Sequence, residues 1–212
     1  MNQKFRKWDK WIEAIHQDLQ GALLQRYVFW EVQDIIEDNP RIHKPSLFYS
    51  FLGNGYAALG ATAIRRQVKS HKDSISLARL LEEIIGNPQV FSKSQYCSIH
   101  RGPFAEKEFE DLFGGNIGSH VDPAIVSGDL CQLRAKAQTV EDFADKQIAH
   151  FDKRVLTGNV SSPSFADLDG CLDFLEELVK KYYLGIKAIC IPDMLPVPQY
   201  NWKEIFEDSW LP

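Results

Sequence analysis

Apolar side chains recur at helical spacing in two long stretches of the sequence, and this periodicity constrains the fold more than any other feature. The first stripe comprises Trp8, Trp11, Ile12, Ile15, Leu19, Leu23, Tyr27 and Trp30. The second comprises Phe165, Leu168, Leu172, Leu175, Val179, Tyr182 and Ile186. Residues three and four positions apart share one face of an α-helix, so each stripe predicts a long helix with one buried face.

Shorter helical signals lie between the two stripes. We expect a second helix after Pro45 and a third from Ser74 to Ile85. Helical pattern returns after Asp122-Pro123, and Thr139, with Asp142 three residues later, resembles an N-cap that begins a further helix. We find no alternating strand pattern of useful length. The sequence therefore predicts an all-α fold, an antiparallel bundle of four to six helices in one domain spanning 1–212.

Two regions lack regular periodicity. Residues 88–121 predict an irregular insertion with at most a short helix from Phe104 to Phe113, and such a stretch is either functional or mobile. The C-terminal tail, 191–212, is rich in proline and places Trp202, Phe206 and Trp210 four residues apart. A tail with this aromatic content is expected to pack on the body of the protein or on a partner.

Composition and charge narrow the class of protein. The net charge of −5 argues against a surface that coats nucleic acid. Four scattered cysteines without metal or disulfide spacing favour a reducing compartment. No apolar run reaches membrane-spanning length, and the N-terminus lacks the apolar core of a secretory signal. We therefore expect a cytoplasmic protein with no membrane partner.

No motif predicts a metal or a cofactor. Cys97 and His100 have C-x-x-H spacing, with His120 beyond, but four zinc ligands cannot be assembled. The stretch GNGYAALG within 53–60 lacks the strand-then-helix context of a dinucleotide fingerprint, so close helix packing is the simpler interpretation of its small residues.

The stretch DKQIAHFDK, residues 145–153, concentrates charge around one histidine. On a helix, Lys146 and His150 share a face, and Asp145 and Asp152 also roughly share one. Histidine transfers protons near neutral pH, and a neighbouring ammonium can hold a phosphate. The alternative is a solvated helix face with a partly buried histidine bonded to an aspartate.

A second basic group crowds the end of the second predicted helix. It comprises Arg65, Arg66, Lys69, His71 and Lys72. The helix dipole favours cations at this position, which is the structural interpretation. The functional interpretation is an anion or phosphate site, since two arginines can form bidentate contacts.

The order of three motifs resembles the HEPN superfamily. IRRQV is followed by DSISLARLLEEI and then by DKQIAHFD, before a final long leucine-rich helix. The likeness covers roughly 8–189 and is greatest to the abortive-infection-type branch of bacterial defence and toxin proteins. It implies a compact helical bundle, a homodimer and, in active members, metal-independent RNA cleavage.

In the active members of that family, an arginine stands four to six residues before a histidine on one helix. The arginine helps to bind the scissile phosphate, and the histidine acts on the 2′-hydroxyl or the leaving oxygen. His150 matches the histidine, but Asp145, Ala144 and Phe143 occupy the arginine positions. The missing charge could come from Lys146, one position short of the spacing, or from Arg65 or Arg66 across the bundle. Arg66 and His71 also have the spacing, but at a helix end.

Three hypotheses follow. In the first, the chain is a HEPN-like ribonuclease or toxin with a degenerate motif. In the second, which the missing arginine favours, it is a non-catalytic HEPN-like module that binds RNA, a nucleotide or a protein partner. In the third, it is an unrelated helical scaffold. The candidate catalytic residues are His150, Lys146, Arg66 and Arg65, and the candidate binding residues are Asp145, Asp152, Lys69, His71 and Tyr56.

Overall fold

The chain is predominantly helical in the part that the structure, a computed structural model, describes: residues 2–100, 102–115, 117–149 and 162–207. Over these ranges it forms seven α-helices and no β-sheet, which confirms the all-α prediction. The helices are α1 (Gln3–Asp38), α2 (Leu47–Val68), α3 (Leu77–Gly86), α4 (Lys93–Ile99), α5 (Ala105–Phe109), α6 (Pro123–Phe143) and α7 (Phe165–Lys187). π-Helical turns, Glu110–Gly114 and Ala144–Ala149, continue α5 and α6.

The two predicted stripes form the centre of the bundle. α1 packs along α7 and α2, while α6 packs on α2, α3 and α7. Trp8 and Ile12 of α1 are fully buried, as are Leu172 and Val179 of α7. Removing these side chains from water is the main favourable contribution to the fold. A capping box, in which Ser164 and Asp167 bond to each other's backbone N–H groups, begins α7.

Small residues bring α2 close to α7, as the sequence suggested. A Cβ atom at Gly53 would lie 3.3 Å from Cζ of Phe165, and one at Gly60 would lie 3.9 Å from Cδ2 of Leu168. Gly55, between them, has no atom within 4 Å of its hypothetical Cβ. Close packing inside the chain therefore accounts for two of the three glycines.

The region 88–121 is more regular than the sequence indicated. It contains α4, which the sequence analysis missed, and α5 with its π-helical turn, which covers most of the short helix expected from Phe104 to Phe113. Four aromatic residues from this region are buried together: Phe91, Tyr96, Phe109 and Phe113. They dock on α7 at Gly185, where a Cβ would lie 2.7 Å from Cζ of both Phe91 and Phe113. The expectation of at most one short helix in this region is therefore wrong, since α4 precedes α5.

The start of α6 also differs from one expectation. Asp122 caps the helix by accepting a hydrogen bond from the Ala124 N–H, and Pro123 is the first helical residue. Thr139 lies in the helix interior, so the prediction of a new helix near Thr139 is wrong. The buried residues Leu133, Ala137 and Val140 continue one apolar face through that point.

The C-terminal tail packs on α1, as expected. Met194 is buried, and its carbonyl oxygen accepts a hydrogen bond of 3.1 Å from Nε2 of Gln20. The Trp202 ring lies edge-on to Tyr27, at a centroid distance of 6.2 Å. Trp210 lies outside the described residues.

Two further observations bear on the sequence predictions. The four cysteines carry free thiols. Among the helices described, none combines the length and apolar character needed to cross a bilayer.

Candidate functional site

The C-terminal end of α2 meets the end of α6 in a group of four charged residues that we call the charge cluster: Arg65, Lys69, Glu141 and Asp145. Nε of Arg65 donates a hydrogen bond to Oδ1 of Asp145. Nζ of Lys69 contacts the Glu141 carboxylate and lies 3.0 Å from Oδ2 of Asp145. The side chains of Arg65 and Asp145 are 37% and 31% exposed, so the cluster is partly screened from water.

These contacts perturb the pKa values of two cluster members. Partial burial alone would raise the pKa of the Asp145 carboxyl, but hydrogen bonds from Arg65 and Lys69 outweigh it and hold the pKa below its usual value. Hydrogen bonds to Glu141 and then Asp145 raise the pKa of the Lys69 ammonium. Asp145 and Lys69 are therefore both charged at neutral pH, and the cluster as a whole pairs two basic side chains with two acidic ones.

Arg66 and Lys146 are also paired with carboxylates. Nη2 of Arg66 lies 2.8 Å from Oδ1 of Asp18, whose Oδ2 accepts a hydrogen bond of 2.6 Å from Nε2 of Gln67. Nζ of Lys146 donates to Oδ2 of Asp142 at 2.7 Å. His71 is exposed, and its Nδ1 lies 3.8 Å from the carboxylate of Asp73.

The backbone between Ala144 and Ala149 forms a π-helical turn and not the α-helix that the sequence predicted. Hydrogen bonds in a π-helix join residues five apart, so the four-residue spacing of an α-helix does not apply within Ala144–Ala149. π-Helical turns inside helices are frequent at functional sites. His150 and Asp152 lie outside the described residues. The prediction that His150 approaches Arg65 or Arg66 therefore stays a prediction.

Tyr56 lies apart from the charge cluster, in the first half of α2. Its ring is buried and stacks on Phe29 at a centroid distance of 4.3 Å. Its hydroxyl donates a hydrogen bond to Oδ1 of Asp169, which lies in α7. Burial, followed by the hydrogen bond to Asp169, raises the pKa of the phenol. Tyr56 thus has a role in packing α2 against α7.

The sequence analysis missed His16, a residue of α1 that faces α7. Both ring nitrogens of His16 are buried, and neither has a hydrogen-bond partner among the described residues. Its ring lies 5.0 Å from that of Tyr183, whose hydroxyl donates to Oε2 of Glu13 at 2.9 Å. Burial lowers the pKa of His16. No local motif marks this residue, since Tyr183 lies far along the chain.

Histidines and cysteines do not assemble into a metal site in the described part of the chain, where no group of three or more potential ligands converges. The His100 ring stacks on Tyr96 at a centroid distance of 4.1 Å, and its Nε2 lies 3.1 Å from the Leu184 carbonyl oxygen. Nδ1 of His120 lies 3.0 Å from Oγ of Ser119. The contacts of His100 give it a structural role where α4 packs on α7.

Exposed apolar side chains lie along α2 from Leu47 to Leu59. Leu47 is 90% exposed, Phe48 51%, Phe51 70% and Leu59 53%. We call these four residues, with Gly55 between them, the α2 apolar face. Single exposed apolar residues are ordinary, but a contiguous set on one helix is typical of an interaction surface.

No family model, no curated protein and no solved structure matches the chain significantly.

Proposed function

We propose that the protein is a non-catalytic, HEPN-like helical binding module that acts in the cytoplasm as part of a bacterial defence or toxin–antitoxin type system. The observation that supports this most is the pairing of Arg65, Arg66, Lys69 and Lys146 with carboxylates. A pentacoordinate phosphate needs positive charge aimed at it, and these cations are already neutralised inside the chain.

The carboxylate of Asp145 adds a second argument. It occupies a position at which the family motif would carry arginine, and its lowered pKa keeps it negatively charged at neutral pH. A negative charge five residues before His150 repels the RNA phosphates that a nuclease must bind. The proposed module therefore binds a protein partner in preference to RNA or a nucleotide.

The second candidate function is a metal-independent ribonuclease that uses His150 with Lys146, Arg65 or Arg66. One observation favours it: the guanidinium of Arg65 contacts Asp145, on the segment that leads into His150. An arginine from α2 could thus replace the missing motif arginine once Asp145 releases it.

RNA cleavage in EDTA distinguishes the two functions. We expect no cleavage of single-stranded or structured RNA by the purified protein. Cleavage that survives EDTA and disappears in His150→Ala would overturn the proposal and establish the ribonuclease.

A binding measurement tests the charge argument directly. Asp145→Asn should raise the affinity for a short RNA several-fold, because it removes a negative charge and releases Arg65 and Lys69. The matched control is Asp111→Asn, which changes the net charge equally at a side chain that is 64% exposed. Equal affinities of the two variants would show that Asp145 does not mask a phosphate site.

A further inference from the structure

We propose that the α2 apolar face is the interface with a second copy of this chain, in which two α2 helices cross about a twofold axis near Gly55. This inference holds whether or not the chain cleaves RNA.

The charge distribution along α2 supports an interface on this face. No charged residue stands between Lys44 and Arg65, although charged residues make up 25% of the chain. A helix face that meets water in the functional protein normally carries charged and polar side chains. Here, the outward positions carry Leu47, Phe51 and Leu59.

Gly55 supplies an independent argument. Glycine in a helix interior destabilises the helix relative to alanine by roughly 0.5–1 kcal/mol, so its presence requires a reason. Gly53 and Gly60 have one, since Phe165 and Leu168 approach them within the chain. The Gly55 position faces open space. A second helix approaching from outside would use that space.

The spacing of the face is self-complementary. Phe51 and Leu59 each lie four residues from Gly55, on the same row of the helix. With the twofold axis at Gly55, Phe51 of one copy contacts Leu59 of its partner, and the two glycines meet. Packing of such rows places two helices at about −50°. The charged C-terminal ends of the two α2 helices then diverge. No charged residue lies near the axis, and the helices therefore meet there without like-charge repulsion.

The available area is sufficient for a dimer. With about 150–250 Å² per large side chain, the exposed fractions of Leu47, Phe48, Phe51 and Leu59 leave roughly 500 Å² of apolar surface on each copy. If the partner covered these side chains completely, two copies together would bury roughly 1,000 Å², the lower end of what a specific interface buries. Flanking polar residues such as Asn54 and Thr62 add to this area.

Analytical ultracentrifugation tests the proposal. We expect the full chain to sediment as a dimer of two 24.3 kDa chains across the micromolar range. Phe51→Glu should weaken the dimer at least tenfold, because it buries a charge at the centre of the interface. Val197→Glu is the matched control, since Val197 is 78% exposed in the tail, and it should leave the dimer intact.

Cysteine cross-linking locates the twofold axis. In a background with the exposed Cys131 and Cys190 replaced by serine, Gly55→Cys should form an intermolecular disulfide under mild oxidation, which requires Cβ atoms about 3.5–4.5 Å apart. The covalent bond traps each encounter of the two positions, although the added side chain weakens the equilibrium dimer. Ser50→Cys, about 140° around the same helix, should not.

Three results would overturn the proposal. They are a wild-type chain that stays monomeric, a dimer that Phe51→Glu does not weaken, and a monomer that binds lipid vesicles through this face. Circular dichroism of each variant checks that the fold is retained. We expect it to be retained, since Phe51 is exposed and its replacement removes no core contact.

Discussion

The two ends of α2 differ in whether their side chains have partners within the chain. At the C-terminal end, Arg65 and Lys69 form ion pairs with residues of the same chain. In the N-terminal half, Phe51 and Leu47 are exposed. The comparison teaches that a concentration of charge in a sequence is not by itself a ligand site, because distant carboxylates can neutralise it. Apolar residues left in water are the stronger indication that a partner is required.

The largest expected effect contrasts two aromatic residues of α2. Tyr56→Ala should lower the free energy of unfolding by about 3–5 kcal/mol, because Tyr56 is buried against Phe29 and bonded to Asp169. Phe51→Ala, five residues earlier but exposed, should change the monomer's stability by no more than about 0.5 kcal/mol. Urea unfolding under monomeric conditions measures both. Equal losses would show that Phe51 belongs to the core.

A smaller effect is expected at Gly55. Gly55→Ala should stabilise the monomer by about 0.5–1 kcal/mol, since alanine favours the helix and the added methyl group meets no atom within the chain. The same change should weaken self-association, because the methyl group occupies space that the second helix needs. Gly53→Ala is the control: its Cβ would crowd Phe165 at 3.3 Å, so it should gain less stability. Thermal unfolding at low concentration compares the two, and a Gly55→Ala variant that associates more tightly would contradict the interface.

The smallest expected effect lies in the charge cluster. A double-mutant cycle of Arg65→Ala and Asp145→Ala should give a coupling of about 0.2–1 kcal/mol, because both side chains are about one-third exposed. Salt should reduce it. A coupling of several kcal/mol would show a far more buried pair than the structure describes.

The pH dependence of this coupling follows from the lowered pKa of Asp145. The unfolded carboxyl binds a proton near its ordinary pKa of 3.8, and the folded one only at lower pH. The contribution of Asp145 is therefore fully present above about 3.8 and is lost as the pH falls through its folded pKa. The cycle repeated from pH 7 to pH 2 should be flat at first and then decline. A decline that begins near pH 6 would implicate a histidine.

Local periodicity predicted the fold because the helical stripes of α1 and α7 are contiguous in sequence. It failed for 88–121, where Phe91 and Phe113 are buried against Gly185 of α7, about seventy or more residues away. For the candidate site, the sequence predicted which residues take part but not how they contact each other. The sequence showed Arg65 and Asp145 as candidate residues, but not that each neutralises the other across two helices. Tyr56 bonds to Asp169 and the His16 ring packs on Tyr183, both in α7, so no spacing within α1 or α2 could reveal these contacts.

Sedimentation of three proteins side by side tests the central claim. The claim is that the α2 apolar face binds a second copy, while the residues of the charge cluster pair with each other within the chain. The proteins are the wild type, Phe51→Glu and Arg65→Gln. We predict a dimer for the wild type and for Arg65→Gln, and a monomer for Phe51→Glu. Dissociation by Arg65→Gln with an intact Phe51→Glu dimer would contradict the account and assign the interface to the charged end of the helix.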